Sequence, residues 1–76
     1  MKKAAALKLL IDEFRTYLEG LNGKERSENI SISANNYGLE ATPSVLKAIA
    51  KAFPDCQISS SGFMGYIEAR RRKGGA

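Results

Sequence analysis

The chain has 76 residues, 43% hydrophobic and 26% charged, and 12 Lys and Arg against 8 Asp and Glu give it a net charge of +4. That length makes one small domain, able to bury only about 60% of the surface its unfolded form exposes, and the composition is ordinary for a folded domain and does not suggest disorder. There is no histidine, and Cys56 is the only cysteine, so the usual general base, an internal disulfide and Cys/His metal sites are all missing, which points to binding rather than catalysis.

No apolar run approaches the ~20 residues of a membrane span. The stretch 1–11 is interrupted by Lys8 and followed by Asp12 and Glu13, so no signal peptide is expected. A lone cysteine suits a reducing cytoplasm, the expected compartment, where the sequon Asn29-Ile30-Ser31 carries no meaning.

Leu7, Leu10, Ile11, Phe14, Tyr17, Leu18 and Leu21 recur at helical spacing and predict an amphipathic helix over 3–19. Gly20 then resembles a left-handed cap, with Leu21 expected to fold back onto the apolar face. Positions 7, 10, 14, 17 and 21 also fit two heptads, which keeps a homodimer in view, but two heptads fall short of a sustained coiled coil. Residues 23–28 are polar and read as a loop. Over 29–35 the alternation of Ile30, Ile32 and Ala34 with Asn29, Ser31, Ser33 and Asn35 predicts a half-buried strand, ended by Asn35-Asn36-Tyr37-Gly38.

Thr42-Pro43 marks a second helix start, since threonine caps free N–H groups and proline suits the first turn. Val45, Leu46, Ile49, Ala50 and Phe53 form its apolar face, and Pro54 stops it. The last third fits two patterns. Phe63, Tyr66, Ile67 and Arg70 have helical spacing over 61–72, but Gly62 and Gly65 each cost a helix about 1 kcal/mol. Strands over 56–59 and 63–70, joined by Ser60-Ser61-Gly62, are favoured. The expected fold is therefore α+β, order α-β-α-β-β, with two helices packed on one face of a three-stranded sheet. The globular domain is expected over 1–69, with a basic flexible tail over 70–76.

Several constellations resolve into ordinary structure. Cys56 without a base is expected to be a buried small hydrophobe. Ser44-Val45-Leu46-Lys47 matches a serine–lysine pattern but lacks its companion motifs. Gly20-Leu21-Asn22-Gly23-Lys24 has neither the helix-flanked context of a KH loop nor the spacing of a P-loop. No metal-ligand spacing occurs, and no cofactor is expected.

What remains is surface chemistry. Arg70, Arg71, Arg72 and Lys73, with Lys2 and Lys3 at the other end, are candidate phosphate contacts. The open sheet face is expected to present Ser31, Ser33, Gln57, Ser59, Met64 and Tyr66. The expected function is a small non-catalytic protein that docks on nucleic acid or a nucleic-acid-containing complex, including as a regulator or inhibitor. The alternative is a protein-only module binding through the sheet face or an exposed edge strand.

Overall fold

A computed structural model describes residues 2–72; Met1 and residues 73–76, which include Lys73 and the end of the expected tail, lie outside the described residues. The elements are α1 (Lys3–Glu19), β1 (Asn29–Ser33), a 3-10 turn (Ala34–Tyr37), α2 (Pro43–Ala52), β2 (Cys56–Ser60) and β3 (Tyr66–Arg71). This is the α-β-α-β-β order, and the C-terminal third is a hairpin.

α1 buries Ala6, Leu10, Phe14 and Leu18, one residue per turn along a single stripe. Leu10 and Phe14, two of the heptad-compatible positions, are thus consumed in the chain's own core. The helix ends at Gly20, whose φ of 67° suits glycine, and a Cβ there would stand 3.1 Å from the backbone nitrogen of Arg26. Leu21 does not fold back; it stays 43% exposed. Its N–H donates to the Thr16 carbonyl, and left-handed Asn22 and Gly23 then turn the chain so that the Ser27 N–H reaches the Tyr17 carbonyl.

α2 begins as its sequence requires, with the Thr42 hydroxyl accepting from the Val45 N–H at 3.3 Å and Pro43 in the first turn. Ile49 is fully buried, and the Phe53 ring packs 6.5 Å from that of Phe14. The sheet order is β1-β3-β2, with both neighbouring pairs antiparallel. β1 and β2, joined through α2, are therefore parallel to each other, and β3 lies between them. Ile30, Ile32, Cys56, Ile58, Ile67 and Ala69 share one core with the buried faces of both helices, so the helices cover one side of the sheet.

Strand ends differ from the sequence expectation: β2 and β3 each run one residue further, to Ser60 and Arg71, and two other ends shift more. β1 stops at Ser33: the Ala34 N–H still donates to the Gly65 carbonyl opposite it, in register with the ladder, but from Ala34 on the chain coils into the 3-10 turn. β3 starts at Tyr66 rather than Phe63, because Gly62, Met64 and Gly65 all adopt positive φ and make 61–65 a wide turn. The 3-10 turn is tied to α1 by the Tyr37 hydroxyl, which donates to the Glu13 carboxylate. That bond, with some burial, pushes the Tyr37 phenol from 10.0 up to about 12.

Phe14→Ala and Ile49→Ala are each expected to cost about 2–5 kcal/mol by cavity formation, measured by denaturant unfolding; losses below ~1 kcal/mol at both would refute the packing described. Tyr37 is protonated more tightly folded than unfolded, so its contribution is complete below the unfolded value and is lost as pH rises through about 12. Alkaline unfolding of Tyr37→Phe, compared with the unaltered chain, should show this branch removed.

Candidate binding face

Directly paired residues of neighbouring strands stand on the same side of a sheet, so the register assembles the solvent face row by row. Asn29, Arg70 and Gln57 form one row across β1, β3 and β2; Ser31, Glu68 and Ser59 form the next; Ser33 and Tyr66 form the third. The first row places a guanidinium between two carboxamides. The second places a carboxylate between two hydroxyls. Arg70 and Glu68 are 3.6 Å apart and both partly exposed, a weak pair. Beyond the first row, Arg72 joins Glu28, Asn29, Gln57, Arg70 and Arg71 around an open groove, with its N–H on the Asp55 carbonyl at 3.0 Å.

Ser31, Gln57, Ser59 and Tyr66 thus lie together on the expected face. Ser33 shares their side by register but is covered, and Met64 lies off the strands altogether. Ser33 is 6% exposed because its hydroxyl donates to the Met64 carbonyl at 2.8 Å, and Met64 sits in the turn before β3 with its side chain in solvent. The Asn35 carboxamide donates to the same carbonyl at 3.0 Å, and a Cβ at Gly65 would lie 2.6 Å from the Asn35 side chain. The turn is therefore held by β1 and the residues that follow it. Phe63 and Met64 project from it at 66% and 63% exposure.

Arg71 overturns part of the basic-tail expectation. β3 runs through Arg70 and Arg71, so the folded unit extends past residue 69. Paired in register with Cys56, Arg71 points to the helix side. Its guanidinium donates to the Leu18 carbonyl at the end of α1 and, at 3.0 Å, to the Asp55 carboxylate, while the Glu28 carboxylate stands 3.6 Å from Nε. A helix C-terminus leaves its last carbonyls without partners and attracts positive charge. The last turn of α1 holds no basic residue, and Arg71 supplies one from the sheet.

Lys2 and Lys3 begin α1, whereas Arg71 caps its other end, about 22 Å away at 1.5 Å per residue. The two basic clusters are thus separate. Other cations are engaged locally, Arg15 over the Phe53 ring at 5.4 Å and Lys24 over that of Tyr17 at 5.8 Å. Cys56 is 4% exposed, and burial, with the neighbouring Asp55 carboxylate, pushes its thiol pKa upward, away from a reactive thiolate. Among the described residues no group of three His, Cys, Asp or Glu could hold a metal ion, and no helix is long and apolar enough to cross a membrane.

The face also includes Asn29 and Glu68, absent from the candidate set read from the sequence. Their strand alternation with Ser31 and Tyr66 was the available signal. No protein-family model, curated protein or solved structure matches the chain.

Arg71→Ala should lower stability by about 1–3 kcal/mol, since it strips charge-assisted hydrogen bonds from a half-buried junction. Arg70→Ala, on the solvent side, should stay within ~0.5 kcal/mol. Thermal unfolding of the two variants checks the assignment, and losses within ~0.5 kcal/mol for both would refute the structural role of Arg71.

Proposed function

We propose that the protein is a non-catalytic binding domain that docks nucleic acid, or the nucleic-acid part of a larger complex, on its open sheet face. The observation that carries this is the cross-strand row in which Arg70 stands between Asn29 and Gln57. Guanidinium groups pair with phosphate oxygens through two parallel hydrogen bonds, and carboxamides match the donor and acceptor edges of bases. Tyr66, four residues along β3, adds a ring on which a base can stack.

A net charge of +4 favours encounter with a polyanion. Nothing in this chemistry breaks a bond; the domain acts by occupying a surface, which is how so small a protein regulates or inhibits a complex. Its single buried thiol suits a reducing, cytoplasmic setting.

A second reading, a protein partner gripping the turn, draws on the exposure of Phe63 and Met64. Aromatic and methionine side chains are enriched where protein surfaces meet.

Salt separates the two. With Arg70 and Arg72 as the described phosphate contacts, log K should fall with log salt at a slope of about −1.4 for a single strand or −1.8 for a duplex. The double variant Arg70→Gln/Arg72→Gln should remove most of that slope in fluorescence-anisotropy titrations. Binding that ignores both salt and the double variant would favour the protein-only reading.

A further inference from the structure

Resting on the open face as a nucleic-acid surface, we infer that its ligand is a single strand lying unstacked along β3, one nucleotide to a row, rather than a duplex. The row spacing is the first reason. Tyr66, Glu68 and Arg70 are alternate residues of one strand, so their side chains stand about 6.8 Å apart. A stacked strand rises 3.4 Å per nucleotide. Neighbouring nucleotides can occupy neighbouring rows only if their bases are pulled out of the stack.

Glu68 is the second reason. A duplex lying along the face would press its phosphates against this carboxylate, between Arg70 and Tyr66. A single strand can instead turn a base toward it, because the exocyclic amino groups of cytosine and adenine donate to a carboxylate. The exposed Arg70–Glu68 pair is weak enough to yield to such a ligand.

The third reason is the end of the face. Tyr66 is 37% exposed and Phe63 beside it 66%, with the Tyr66 N–H on the Phe63 carbonyl at 3.0 Å. Aromatic rings held in place this way stack on the faces of bases, which a duplex encloses and a single strand offers. Among the described residues the solvent side of the sheet also carries no helix to enter a major groove. The path therefore runs from a base on Tyr66, through an amino-bearing base at Glu68, to a phosphate on Arg70 flanked by Asn29 and Gln57.

The test uses fluorescein-labelled oligonucleotides of about ten nucleotides, within the site sizes of small single-strand-binding folds. Single strands and duplexes of the same sequence, in ribo and deoxyribo form, are titrated at one low salt concentration. The single strand of at least one sugar type should bind at least about tenfold more tightly than its duplex. Tyr66→Ala should weaken the single strand by about 5- to 150-fold, as loss of one stacked base requires, while Tyr66→Phe should stay near the unaltered chain. Oligocytidylate should bind more tightly than oligothymidylate, and Glu68→Gln, whose carboxamide can also donate to a thymine carbonyl, should narrow that gap.

Duplex binding as tight as single-strand binding, still weakened by Arg70→Gln, would overturn the single-strand inference and leave the nucleic-acid reading standing. Absence of binding by every oligonucleotide would overturn both. Should Tyr66→Ala unfold the domain, the Tyr66→Phe and Glu68→Gln comparisons still decide the matter: a cytidylate preference unchanged by Glu68→Gln overturns the assigned path.

Discussion

The Arg71 guanidinium is the point on which this fold turns. It meets the Leu18 carbonyl at the end of α1, the residue before β1 and the residue before β2, three places that are apart in sequence. Only the central strand could bring one side chain to all of them. A helix end without its own cation gains one, and two loops that would otherwise drift are drawn to the same charge. Because strands alternate, fixing Arg71 toward the helices commits Arg70 to the solvent side. One arginine's structural duty thus sets the aim of its neighbour.

The opposite end of the sheet is held by neutral hydrogen bonds rather than charge. Ser33 and Asn35 both donate to the Met64 carbonyl, and Ala34 donates to the Gly65 carbonyl. Those bonds keep a non-glycine residue, Met64, at φ 48°, a conformation that costs energy and persists only where surroundings enforce it. Ser33 is thereby lost as a contact residue and becomes a support. Its hydroxyl ties β1 to the turn that carries Phe63 and leads into Tyr66.

The helices were legible in the sequence because their signals are local and redundant. The stripe from Leu10 to Leu18, the glycine at 20 and the Thr42-Pro43 start each specify a boundary on their own. The strands were legible as strands, less so in their ends. Ala34 continues the buried alternation of Ile30 and Ile32 and is fully buried, but burial alone does not distinguish the last residue of a strand from the first of a turn. The left-handed backbone at Met64 has no signature in a methionine. The candidate face was partly legible: alternation puts Asn29 on the side of Ser31 and Glu68 on the side of Tyr66, whereas which residues of β1, β3 and β2 stand in one row requires the register. Arg71 was hidden inside a run of like residues, since composition cannot say which of three arginines faces inward.

The strand order carries a consequence for how the chain comes into being. Every strand pair in the sheet involves β3, the last of the described elements to leave a ribosome. Until it emerges, β1 and β2 have no hydrogen-bonding partner in the sheet and the helices have no completed surface to cover. Local helix can form early, but closure waits for contacts that span most of the chain, the kind that slow folding and leave strand edges open to other chains. A nascent chain halted before residue 66 therefore carries the residues of both helices and of β1 and β2 but not the strand that either of them pairs with.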